Sequence, residues 1–159
     1  MLIPVLLAMV LTSPDVHDGA TVPKKHVWNA DGCGGDNVAP HLRWDRAPHG
    51  TRTLALSVVD PDAPKPGGWV HWLVFGIPGD TRKLDRFHPR HVVDAKNDFG
   101  TVGWGGPCPP PGPTHHYVFQ LDALDIAPNF TPSTTLEQYR ARVRGHVIAS
   151  VRMVPVYKR

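Results

Sequence analysis

Three short stretches hold side chains able to bind an anion or handle a proton. Asp60-Pro61-Asp62-Ala63-Pro64 sets two carboxylates at the end of an apolar run. A carboxylate there stands where a core ends and a cavity can begin. The same two carboxylates can also cap the turn through the local backbone. His71 lies in Trp69-Val70-His71-Trp72-Leu73, an apolar setting in which its ring nitrogens need partners. It reads either as a satisfied core histidine or as a ring held in one tautomer by a carboxylate. Residues 61–69 form a short link, so the segments bearing Asp60 and His71 are expected as antiparallel neighbours, with Asp60 orienting His71. The third stretch is His115-His116-Tyr117. Residues two apart share one face of a strand, so His115 and Tyr117 point together and His116 points away. Imidazole and phenol both donate to phosphate oxygens, although Tyr117 also fits a core.

Other chemistries find less support. There is no G-x-S-x-G, no G-x-G-x-x-G and no Walker loop. Cys33 and Cys108 form no C-x-x-C pair, which speaks against a thiolate zinc site. They are free thiols or one disulfide, and both readings stay open at this stage. Cys108 sits between two prolines, with nothing to mark it as an activated nucleophile. His88-Pro89-Arg90-His91 reads as an exposed polar loop. No cofactor and no metal site are expected. A formal charge of +3 suits anionic ligands but is too small to argue for nucleic acid.

The elements that must position these groups are mostly strands. Eighteen Pro and fifteen Gly in 159 residues argue against long helices and for short strands joined by turns. Apolar residues at 41% and charged ones at 19% argue for a folded chain, and the length for one domain over 1–159. Thr53–Asp60 and Val70–Ile77 are apolar on both faces, as central strands are. Tyr117–Asp125 carries Tyr117, Phe119, Leu121 and Ala123 on one face, and 147–156 forms a last run. One helix is predicted after Thr134 and Thr135, either of which can cap it, ending at Gly145. Its Arg140, Arg142 and Arg144 read as a solvated face. Residues 78–114 form a long proline- and glycine-rich segment. Within it 105–112 is stiff, because each proline fixes φ. Such a loop makes a good pocket wall. The apolar start, 1–11, is too short to span a bilayer and lacks a basic n-region and an A-x-A site. It is expected to begin the first buried strand.

Taken together, these stretches resemble the bacterial branch of the phosphatidylethanolamine-binding protein family, which includes the Raf kinase inhibitor protein. The resemblance rests on Asp36-Asn37-Val38-Ala39-Pro40-His41-Leu42-Arg43-Trp44, Leu54–Pro64, Trp69–Pro78, Asn97-Asp98-Phe99-Gly100 through Tyr117, and Gly145-His146-Val147-Ile148-Ala149. They run in the family's order over roughly 11–159. The resemblance implies a mainly β fold, a sandwich of two antiparallel sheets with a few short helices. It also implies an anion pocket at Asp60, Asp62, His71, Pro109, Pro110, His115 and Tyr117. In the family this pocket takes phosphate, acetate or the phosphoethanolamine head group. His116 stands where relatives usually have Arg. Cys33 and Cys108 fall where some relatives also have cysteines, which implies a disulfide if the protein is exported.

The function expected from these readings is binding of a phosphate-type anion or phospholipid head group, not catalysis. Contact with a membrane would be peripheral at most, and no nucleic acid is expected. Regulation of a kinase or protease through the pocket is the partner reading that the resemblance implies. The alternative is a small hydrolase or transferase using Asp60 and His71 as a base. A cytoplasmic location is expected, or a periplasmic or secreted one if the apolar start acts as a signal.

Overall fold

The computed structural model describes residues 8–159. Most of the apolar N-terminal stretch therefore lies outside the described residues. What is described of it joins the core: Met9 and Leu11 are buried, and β1 is Leu11–Thr12. The remaining strands are β2 (Leu42–Trp44), β3 (Thr53–Asp60), β4 (Trp69–Pro78), β5 (Lys83–Leu84), β6 (Val93–Asp94), β7 (His115–His116) and β8 (Val118–Leu124). The helix α1 (Leu136–Val143) is followed by β9 (Val147–Met153) and β10 (Val156–Tyr157).

The five-stranded sheet, ordered β6-β4-β3-β8-β9, forms the middle of the molecule. The expected fold class holds, with a refinement. The layer opposite this sheet is split into a three-stranded piece, β1-β2-β5, and a two-stranded piece, β10-β7. All named strand pairs are antiparallel.

Both faces of the central sheet are covered, which explains why β3 and β4 are apolar on both sides. One face carries Leu54, Leu56 and Val58 from β3, Trp72 and Val74 from β4, and Phe119, Leu121 and Ala123 from β8. These pack with Leu11, Leu42, Trp44 and Leu84 of the three-stranded piece. The other face carries Ala55, Val59, Leu73, Phe75 and Leu124, which meet Leu136, Tyr139 and Val143 of α1. Truncating a fully buried side chain such as Leu121 to Ala costs about 2–5 kcal/mol.

The helix starts as its sequence dictates. The Thr135 hydroxyl accepts from the Gln138 amide, and the Gln138 side chain accepts from Thr135 N–H, a reciprocal capping box. Leu136, Tyr139 and Val143 recur at helical spacing and are the residues α1 buries. Gly145 follows with φ +79°, the left-handed conformation that lets the chain turn into β9.

One irregularity matters for the site. Val58 pairs with Trp72 and Val59 with Val70, so His71 is an extra residue, a β-bulge. The cores show its effect. Val70 packs on the helix side and Trp72 on the opposite side, although residues two apart normally share a face.

Candidate functional site: a cavity floored by two histidines and a buried carboxylate

Asp60 ends β3, and His71 occupies the bulge on its neighbour β4. His115 and Tyr117 flank His116 where β7 passes into β8. All four side chains are at least 95% buried and line one cavity of about 420 Å³. Its sides are Trp69, Phe99 and the run Pro109-Pro110-Pro111, and its mouth carries the exposed Asp31, Lys65 and Arg159. The proline wall is tied down by a disulfide between Cys33 and Cys108, whose Cα atoms are 5.7 Å apart. Arg159 braces that corner, donating from Nη1 to the Asp31 carbonyl at 3.0 Å with the Cys33 sulfur at 3.1 Å.

The strand parity expected for the third stretch is present. His115 and Tyr117 turn inward, while His116 is exposed. The strands bearing Asp60 and His71 are antiparallel neighbours. The expected contact between those two side chains is not made, and this corrects the sequence reading. Asp60 holds His115 instead: its Oδ2 accepts from His115 Nδ1 at 2.7 Å, and its Oδ1 accepts from the Asp62 amide at 2.9 Å. His71 donates from Nδ1 to the Gly105 carbonyl at 2.6 Å. The bulge that turns His71 inward sets its ring beside the 105–106 backbone. Asn37 holds that backbone in turn, its Oδ1 accepting from Gly106 N–H at 2.7 Å.

Asp62 also departs from expectation. It does not line the cavity. Its carboxylate accepts from both the backbone N–H and Nδ1 of the exposed His116, each at 2.8 Å. The side-chain bond from His116 is the main cause that holds the Asp62 carboxyl below its usual range. Pro109 and Pro110 are in the wall as expected. Trp69, Phe99, Lys65 and Arg159 were missed. Trp69 and Phe99 stand in stretches whose aromatics carried no assigned role, and Arg159 lies 128 residues from Asp31, beyond any local signal.

Electrostatically the His71 side of the floor is a neutral imidazole near a buried acid. Burial pushes the His71 imidazole down to about 4, more than the nearby Asp60 and Asp98 charges restore. Burial, reinforced by Asp60, pushes the Tyr117 phenol up, so it stays protonated and able to donate. Two side-chain polar atoms among the described residues are buried with no protein partner, Trp69 Nε1 and Tyr117 Oη. Both residues line this cavity. His71 packs edge-on against Tyr117 and Phe99, with centroids 5.0 and 5.6 Å apart, so the rings hold one another in place.

A central antiparallel sheet, a split opposing layer and a His–Asp–Tyr cavity of about 420 Å³ behind a disulfide-tied proline wall define a mainly β protein with a candidate site. The family model described as phosphatidylethanolamine-binding protein matches residues 12–158, and the chain belongs to that family. It is 44% identical over 125 residues to YbhB of Escherichia coli, covering 74% of this chain and 79% of that protein. It is 38% identical over 152 residues to LppC of Mycobacterium tuberculosis, a relative named as a lipoprotein, covering 94% of this chain and 72% of that one. The crystal structure of Escherichia coli YbcL superposes with a TM-score of 0.89 at 33% identity, covering 95% and 98% of the two chains. YbcL is described there as a member of the mammalian family.

Proposed function

We propose that the protein binds a small phosphate-type oxyanion, free or as a head group, in the cavity floored by Asp60, His71, His115 and Tyr117. The observation that carries this reading is the pair of unpartnered donors, Trp69 Nε1 and Tyr117 Oη, buried at one site. A buried donor left unsatisfied costs about 1–3 kcal/mol, and an oxyanion accepting from both removes that cost. At the mouth Arg159 and the Asp98-paired Lys65 stand against one carboxylate, Asp31. Hydrogen bonds to a charged acceptor in a dry site are roughly twice as strong as neutral ones. A cavity of about 420 Å³ fits a head group and leaves little room for acyl chains, so membrane contact would stay peripheral.

The test is titration with inorganic phosphate and with phosphoethanolamine, followed by NMR. Shifts at His115 and Tyr117 at millimolar ligand are expected. Unchanged shifts at both residues would sink the reading.

A catalytic reading draws on one observation, the carboxylate–imidazole pair. That pair is Asp60 with His115, not with His71, so a general base would be His115 Nε2. Turnover of a phosphoester abolished by His115→Ala, with the fold intact, would favour it over binding. Regulation of a kinase or protease would use the same cavity, for a phosphorylated segment of the partner. As to compartment, no helix among the described residues is long and apolar enough to cross a membrane. The disulfide and the lipoprotein name of LppC support an oxidising compartment over the cytoplasm. Periplasmic and cytoplasmic fractions probed with an antibody would decide it.

A further inference from the structure

We infer that the cavity selects an oxyanion carrying its own proton, a phosphate or phosphomonoester with a P–OH, over oxyanions that lack one. This inference rests on the reading of the cavity as an oxyanion site.

The argument is an inventory of donors and acceptors. A carbonyl oxygen only accepts, so the 2.6 Å contact to Gly105 makes His71 Nδ1 the N–H nitrogen. The other nitrogen, Nε2, is then a lone-pair acceptor on the cavity side. Asp60 receives two donors, the Asp62 amide and His115 Nδ1, as an ionised carboxylate does. His115 spends its Nδ1–H on Asp60. The floor thus offers Asp60 and His71 Nε2 as acceptors. Against these stand two donors, Tyr117 O–H and Trp69 Nε1–H.

An ion with acceptor oxygens alone can use the two donors but sets its remaining oxygens against lone pairs. An ion with both P–O and P–OH groups satisfies both halves. The P–O oxygens accept from Tyr117 and Trp69, and the P–OH donates to a floor acceptor. A site built to accept a hydrogen bond rejects the analogue lacking that donor. Sulfate and phosphodiesters have no such proton at neutral pH. A phosphomonoester has one on part of its population, since its second pKa is near 6.

The charged and titratable groups around His71 do not undo this. Asp60 comes from β3, Asp98 from the loop after β6, and His115 and Tyr117 from β7 and its junction with β8. Lys65 is paired with Asp98 and also lies 5.8 Å over the Trp69 ring. Asp31 and Arg159 stand at the mouth. Burial keeps the His71 imidazole neutral, which agrees with the acceptor role that Gly105 already assigns to Nε2. Sulfate can bind well only if His71 takes up a proton.

The experiment is a set of calorimetric titrations of the intact oxidised protein with inorganic phosphate, phosphoethanolamine, glycerophosphoethanolamine and sulfate. At neutral pH the first two should bind tighter than the diester and sulfate by about tenfold or more. The phosphate-to-sulfate ratio should shrink as pH falls toward 4, where the His71 imidazole takes up a proton. His71→Gln places an amide able to donate near the Nε2 position and should also reduce the ratio. Nitrogen-15 shifts of His71 in the wild type should show Nδ1–H and a bare Nε2, with phosphate bound or absent. Equal affinity for phosphate and sulfate at neutral pH, or a protonated Nε2 in the free protein, overturns the inference and leaves the oxyanion reading standing. Binding of no ion at all removes both.

Discussion

Each face of the central sheet buries a carboxylate beside a tyrosine, Tyr139 of α1 on one side and Tyr117 at the β7–β8 junction on the other, and the two pairs are finished differently. On the helix side, Asp122 is 4% exposed and fully engaged. It accepts from the Tyr139 hydroxyl at 2.7 Å, Ser150 Oγ at 2.5 Å and Gln120 Nε2 at 2.9 Å. On the cavity side, Asp60 is 3% exposed and accepts from His115 and the Asp62 amide, while Tyr117 Oη beside it has no partner. Burial does not separate the two. Both phenols are pushed upward, each by burial first and by a nearby aspartate second. What separates them is the donor inventory. One network is closed and ties α1 to β8 and β9. The other is open, and it faces a space. A perturbed titration is therefore weak evidence for a site here, and an unpaired buried donor is stronger evidence.

The largest expected effect lies on the closed side. Asp122→Ala strands the buried Tyr139 hydroxyl, leaves the more open Ser150 and Gln120 donors to water, and should cost about 3 kcal/mol or more in urea unfolding, with phosphate binding unchanged in the folded fraction. A binding loss equal to that of a cavity variant would erase the contrast between the faces.

Acid should act on the open side. His71 sits at about 4 when folded, against an ordinary 6.5. The unfolded chain therefore binds more protons between those values. The stability associated with the neutral ring is whole above pH 6.5 and is lost as pH falls toward 4, by about 3 kcal/mol in all. Unfolding measured across that window in wild type and His71→Gln should differ in slope. Parallel curves would show that His71 is not held neutral by burial.

Tyr139→Phe removes one donor to Asp122 and should cost about 1–2 kcal/mol with no change in binding. The smallest effect is expected at the exposed Asp62–His116 pair. There Asp62→Asn should stay within about 0.5 kcal/mol, and phosphate affinity should hold because the pair stands outside the cavity. A large loss of affinity would return Asp62 to the site.

Much of this arrangement was legible in the sequence, for reasons that differ by element. Both-face apolarity marked β3 and β4, and capping threonines with a closing glycine at 145 marked α1. The two-residue period separated His115 and Tyr117 from His116. The 78–114 segment read as loop because β5 and β6 are two residues each, too short to show a period. The partner of Asp60 was misread because the link length fixes which strands neighbour each other but not where a bulge falls. The extra residue at 71 reoriented the ring toward Gly105 and left Asp60 to His115, which is 55 residues away. Arg159 and the Cys33–Cys108 bond join segments 128 and 75 residues apart, which no local pattern connects.

The most direct test is Tyr117→Phe, with phosphate affinity and unfolding free energy measured on the same sample. An open site predicts stability unchanged or slightly raised, because the lost hydroxyl had no partner in the protein, together with a fall in phosphate affinity of about tenfold. A loss of stability like that of Tyr139→Phe, with phosphate affinity unaltered, would show that the Tyr117 hydroxyl belongs to the core and would contradict the account.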